Sequence, residues 1–171
     1  EYRYRSVYKG NGKYFNADGS VNPAGGPKGG MIRTEEDMNW VKAMMDAGYK
    51  FKPGNSIGKA NIYYGDYIYA DVNGDGVYGD SDDEEFQGRS KTPKYNFGFQ
   101  ASAAWNGFDI SMVWAGAAGF DIYWGPTAGY NAAKTEWGNN IAQRIADDHY
   151  FYDPSNPDDP RTNINGKYPR M

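Results

Sequence analysis

The chain of 171 residues has no cysteine and no leucine. Without cysteine there are no disulfides, no thiol catalysis and no zinc-thiolate sites. Without leucine a helical bundle has nothing to build its seams from. Val, Ile and Phe, at 6, 9 and 8 residues, are scarce enough to raise the question of disorder. Disordered chains are poor in aromatics, however, and here aromatics make up 17%. No apolar run reaches the ~18 residues of a transmembrane helix. Strands of a membrane barrel need only about 9–11 residues of alternating polarity, so that architecture survives the test. A net charge of −4 without a basic cluster argues against a nucleic-acid partner. Glu1 follows no charged-then-apolar leader, so any export signal is expected to have been removed or to lie outside this segment.

What is abundant is glycine (23) and tyrosine (16). Together they predict β-rich structure with long Gly-, Asn- and Asp-laden loops, in which Tyr, Trp and Phe supply most of the burial. Residues 1–9 suggest a short polar strand, and 10–30 a Gly/Asn/Pro-rich loop. Thr34 followed by Glu35, Glu36 and Asp37 has the form of an N-cap with first-turn acids, suited to the positive end of a helix. Met38, Val41 and Met45 keep helical spacing and Gly48 is a natural stop, so a helix is predicted over about 35–47. Residues 62–71 are aromatic and β-prone.

The clearest pattern lies at 95–115. Tyr95, Phe97, Phe99, Ala101, Ala103 and Trp105 alternate with Asn96, Gly98, Gln100, Ser102 and Ala104, the period of a strand with one apolar face. Asn106-Gly107 follows, the strongest two-residue hairpin signal because both positions favour positive φ. The return strand puts Phe108, Ile110, Met112 and Trp114 on one face against Asp109 and Ser111. Aromatics at both strand ends, alanine between them and a small polar opposite face form the pattern of an outer-membrane barrel. The competing reading is a soluble antiparallel sheet.

Counting from Asp71, oxygen-bearing side chains fall at positions 1, 3, 5 and 12 (Asp71, Asn73, Asp75, Asp82), with Gly76 at position 6. This is calcium-loop spacing: a hard cation takes six to eight oxygens, and alternate side chains converge in a tight turn that needs glycine at its bend. The Val77 carbonyl would be a further ligand. Asp82 is shorter than the usual glutamate, and Asp80 and Asp83 compete with it. A strand enters and no long helix leaves, which suits a structural clamp rather than an opening sensor. Further on, a helix is predicted at about 139–148, capped by Asn139 or Asn140 and carrying Ile141 and Ile145. His149, the single histidine, is expected to be a loop residue bonded locally, and 153–161, with three prolines, a stiff extended loop.

These blocks, in order, resemble the SusC/RagA-like family of TonB-dependent outer-membrane nutrient transporters. The resemblance is carried by Gly65-Asp66-Tyr67-Ile68-Tyr69-Ala70-Asp71-Val72-Asn73-Gly74-Asp75-Gly76, Pro93-Lys94-Tyr95-Asn96-Phe97-Gly98-Phe99 and Trp105-Asn106-Gly107-Phe108-Asp109-Ile110-Ser111. It continues in Ala118-Gly119-Phe120-Asp121-Ile122-Tyr123 and Asn165-Gly166-Lys167-Tyr168-Pro169-Arg170, and covers roughly 31–171. It implies a barrel of about 22 strands, energised by TonB through an N-terminal region, lidded by a SusD-like lipoprotein and importing glycans or peptides. No plug, TonB-binding segment or aromatic-terminated final strand is recognisable. The chain is therefore expected to be a late part of such a barrel, completed by the remainder of the same wall and by outer-membrane lipid.

The expected fold class is all-β dominated: a segment of a large antiparallel transmembrane β-barrel, with long extracellular loops carrying two short helices. The divisions are 1–61 (strand, loop and first helix), 62–94 (strand and calcium-type loop), 95–115 (transmembrane hairpin) and 116–171 (long extracellular loop). The membrane-facing set is Tyr95, Phe97, Phe99, Trp105, Phe108, Ile110, Met112 and Trp114. The alternative function is a soluble calcium-stabilised carbohydrate-binding or adhesion module. A dockerin-like module would need a second calcium loop and paired helices, and no carboxylate pair is placed to suggest an enzyme.

Overall fold

The structure, a computed structural model, describes residues 3–52, 54–86, 88, 90–122 and 141–170. In chain order the elements are β1 (Arg3–Arg5), α1 (Glu35–Asp46), β2 (Lys50–Phe51), β3 (Val77–Tyr78), a 3-10 turn (Ser81–Asp83), β4 (Glu84–Phe86), β5 (Tyr95–Trp105), β6 (Phe108–Ala118) and α2 (Gln143–Asp147). The strands form three two-stranded ladders, β1 with β4, β2 with β3 in parallel, and β5 with β6 antiparallel. The chain divides into two compact units: 4–85 with 125–171, and 1–3 with 86–124.

The larger unit is organised around α1. Thr34 accepts the Asp37 N–H at 3.2 Å, while the Asp37 carboxylate accepts the Thr34 and Arg33 N–H groups at 2.9 and 2.8 Å. Asp37 is buried, and its other oxygen takes the Tyr14 hydroxyl at 2.7 Å, so this cap also ties down the preceding loop. Burial first, and then the bond to Asp37, push the Tyr14 hydroxyl above the ordinary phenol range. The helix stops at Ala47, and Gly48 (φ 98) takes the left-handed conformation that ends it, as predicted.

The inward face of α1 is Met38, Trp40, Val41 and Met44. Trp40 is the hub. It stacks on Tyr8 at 5.7 Å, meets Phe51 edge-on at 6.2 Å, and donates its indole N–H to the Asn22 carbonyl at 2.9 Å. Phe51 lies 5.1 Å from Tyr78, which completes an aromatic core with Ile32, Ile62 and Ile68. Aromatic side chains bury roughly 150–250 Å² each, so a few of them replace many aliphatic contacts.

Residues 62–71 differ from the expected strand. They make isolated bridges instead: Ile62 to Ile57, Tyr67 to Met31 and Tyr69 to Val7. The cause is local. Gly65 is left-handed (φ 85), and the Asp66 carboxylate accepts the Tyr63 N–H at 2.8 Å, so the chain turns before a ladder can grow.

The second helix is also shorter than predicted. It begins at Gln143 behind Ala142, which offers no side-chain cap, so Ile141 precedes the helix and only Ile145 is buried within it. Asn139 and Asn140 lie outside the described residues. Residues 153–162 are not extended but form three successive turns. Asn156, Asp159 and Thr162 donate their N–H groups to the carbonyls of Asp153, Asn156 and Asp159 at 3.0, 3.1 and 2.9 Å. Each turn has Asp or Asn at its first position and proline at its second, the residues a type I turn prefers.

Residues 149–170 close onto 33–67. Tyr150 is buried and donates its hydroxyl to the Arg33 carbonyl at 3.0 Å. Arg170 forms a clasp, with Nε and Nη2 on the Asp66 carboxylate at 2.7 and 3.0 Å and Nη1 on the Lys59 carbonyl at 2.6 Å. Its Nη2 also reaches the Asn61 carbonyl at 2.8 Å. Paired, bidentate and part-buried, it is the strong kind of ion pair.

Candidate functional site: the hairpin face and the acidic loop

The hairpin forms as the alternation predicts. Asn106 (φ 46) and Gly107 (φ 84) both take positive φ, which matches the turn to the strand twist. Eleven residue pairs follow in register, from Trp105–Phe108 to Tyr95–Ala118. Directly opposed residues share a face, so the pairs Trp105–Phe108, Ala103–Ile110, Ala101–Met112, Phe99–Trp114 and Phe97–Gly116 form one continuous apolar surface. Ser102–Ser111, Gln100–Val113 and Asn96–Ala117 form the other.

On the apolar face, large rings are set against small partners. Phe97 covers Gly116, where an added Cβ would come within 2.3 Å of the ring. Phe99 and Trp114 stack at 5.0 Å. All eight predicted membrane-facing side chains are exposed, from 47% (Met112 and Trp114) to 77% (Trp105), whereas Trp40 in the core is 0% exposed. A water-soluble monomer rarely leaves so long an apolar strip uncovered. The dimensions matter as well. An eleven-residue strand is about 36 Å long, and at a tilt of about 45° it spans about 25 Å, the height of the apolar band of an outer-membrane barrel.

In the acidic loop the structure brings Asp71, Asn73 and Asp75 into one turn, held by backbone N–H groups. Asp71 accepts Gly74 and Gly76 at 2.6 and 2.9 Å, Asn73 accepts Asp75 at 2.9 Å, and Asp75 accepts Val77 at 2.8 Å. Gly74 and Gly76 are left-handed, as the tight bend requires. The Gly76 and Tyr78 carbonyls accept the Lys50 and Lys52 N–H groups, each at 2.9 Å, which turns the Val77 carbonyl the opposite way.

Asp82 is not with them. It is exposed and donates its N–H to Asp80 at 2.9 Å. Asp83 occupies the inside instead, buried, with Val72 on one oxygen at 2.6 Å and Gly79 on the other at 2.7 Å. Among the described residues no three Asp, Glu, His or Cys side chains gather as a group able to hold a metal ion. In this conformation the loop is closed by its own N–H donors and fits a cation only in part.

The sequence marked Asp83 as a competitor for Asp82 but gave no sign that it would be the interior residue. His149 sits as expected, with Nδ1 2.7 Å from the Ala146 carbonyl. No helix among the described residues is long and apolar enough to cross a membrane. Compared with protein-family models, curated proteins and solved structures, the chain matches none.

Proposed function

We propose that residues 95–118 are part of the wall of an outer-membrane β-barrel, in a TonB-dependent importer of glycans or oligopeptides that works with a SusD-like surface lipoprotein. The observation that carries this reading is the single continuous apolar face of the hairpin, its eight large side chains all exposed and its length enough to span a membrane. Lipid covers that face, the small polar face lines water, and the two outer strand edges pair with the rest of the wall, since an open edge in lipid leaves backbone groups unsatisfied. The tight Asn106-Gly107 turn then belongs on the periplasmic side, where barrel turns are short. The acidic loop is then one of the long extracellular loops that such barrels carry. The role is transport, with no catalytic step assigned to any residue.

Calcium is a second component of the proposal, as a structural ion on the exterior loop. Asp71, Asn73 and Asp75 would hold it through lone pairs that their N–H partners leave free, with Asp82 turning inward and the Val77 carbonyl as a further oxygen.

Because the chain lacks cysteine, single cysteines report cleanly on each face. In outer-membrane vesicles, cysteines at Phe97, Ile110 and Trp114 should resist a water-soluble maleimide, while those at Gln100, Ser102 and Val113 react through the lumen. Equal labelling of both faces would sink the barrel reading and favour a soluble carbohydrate-binding module.

A further inference from the structure

The larger unit carries a cleft of about 350 Å³ between the 59–66 turn and the 149–154 segment, walled chiefly by Tyr63, Tyr64, Phe151, Tyr152 and Lys59. Its size is that of a small-molecule site. Two edge-to-face contacts set the wall, Tyr63 with Tyr64 at 5.1 Å and Tyr64 with Tyr152 at 5.6 Å. Both flanks of the cleft are fixed from behind, by buried Tyr150 and by the Arg170 clasp on Asp66.

The polar inventory is lopsided. The Arg170 guanidinium is already committed to Asp66 and to two carbonyls, and Asp66 is neutralised by the same pair. Asp153, on the rim, has one oxygen on the Ser155 N–H at 2.9 Å and its charge felt by Arg161. The Lys59 ammonium has no hydrogen bond or ion pair among the described residues, and neither do the Tyr63, Tyr64 and Tyr152 hydroxyls. Lys59 is exposed and the three tyrosines are only half-buried, so these donors on the lining are open to solvent. The backbone N–H groups of Tyr150 and Phe151 are taken by the Tyr168 and Asn163 carbonyls, so neither is free to pair with a peptide strand.

We infer that this cleft binds an acidic saccharide. The negative faces of the tyrosine rings attract the polarised C–H face of a sugar ring. The tyrosine hydroxyls bond its oxygens, and Lys59 meets its carboxylate. The inference deepens the cargo half of the proposed function and rests on that reading only in taking carbohydrate as the ligand.

The test is calorimetric titration of the full chain in detergent solution with digalacturonate and with its uncharged methyl ester. Digalacturonate should bind at least about ten-fold more tightly than the ester, and added salt should narrow the gap. Lys59→Gln, at an exposed position, should erase the preference while leaving the fold intact by circular dichroism. Tyr152→Ala should weaken both ligands, and Tyr152→Phe should keep the stacking and most of the affinity. Equal affinity for acid and ester, an unchanged preference in Lys59→Gln, or no binding of either sugar overturns the inference. The readout is independent of membrane insertion. Hairpin labelling can thus fail while this binding stands, and the reverse.

Discussion

Asp159 illustrates how single side chains hold this loop-rich molecule. Its carboxylate receives Nε and Nη2 of Arg161 at 2.9 and 2.7 Å, and Arg161 in turn lies over Phe151 at 4.7 Å. Bonding to the Arg161 side chain is the main reason its pKa falls to about 2. A carboxyl depressed on folding contributes stability above its unfolded pKa, about 3.9, and loses it as pH falls through the folded value. The turns at 153–162 should therefore persist through pH 4 and loosen towards pH 2. A carboxyl NMR titration with an Asp159 midpoint near 4 would contradict this.

Gly65 gives a second prediction at this scale. It has φ +85, and an added Cβ would sit 2.4 Å from the Tyr150 ring. Gly65→Ala should cost about 2–4 kcal/mol from left-handed strain and overpacking, measured by denaturant unfolding. Residues whose role is local were legible in the sequence: the Thr34 cap, the Gly48 stop and the Asn106-Gly107 turn. Trp40, Tyr150 and the Arg170–Asp66 clasp were not, because their partners lie far away in sequence (Arg170 and Asp66 are 104 residues apart) and no periodicity records such contacts.

At the scale of elements, the hairpin was readable because one physical constraint repeats every second residue. Residues 62–71 share its composition yet make only isolated bridges, since Gly65 and Asp66 impose a turn that β propensity does not register. If the hairpin is barrel wall as proposed, Met112→Arg, near mid-strand on the apolar face, should cost about 2–4 kcal/mol of stability in lipid, and Val113→Arg on the opposite face far less. Folding titrations into bilayers that gave equal costs would count against a lipid-facing surface.

The acidic loop makes a different prediction. Asp83 accepts N–H groups from both sides of the loop, the Gly79 one buried, so Asp83→Ala should open 71–83 to limited proteolysis with or without calcium. Asp82→Ala should matter only when calcium is present, if the ion draws that side chain inward. Chelation that leaves protease protection of 66–86 unchanged would end the calcium proposal.

Across the whole molecule, the lack of leucine has two different consequences. The larger unit fills its centre with Ile, Val and Met packed around interlocked rings at Trp40, whereas no residue of β5 or β6 is buried. Composition therefore announced weak burial correctly for one unit and misleadingly for the other. It could not separate them, because the same residues, Tyr, Trp and Phe, serve as core in one and as outer surface in the other.

The two-residue turn of the hairpin also sets an order in time. Strands joined by so short a connection pair within microseconds. The C-terminal part of the larger unit must instead wait for contacts such as Arg33 with Ile164, 131 residues apart. During synthesis, Arg33 leaves the ribosome long before its partner exists, whereas Trp105 meets Phe108 almost at once. The greasy strip is therefore complete before residues 150–170 can reach Arg33 and Asp66. In this order α1 and the rings around Trp40 come first, the hairpin second, and the closure made by Tyr150 and Arg170 last.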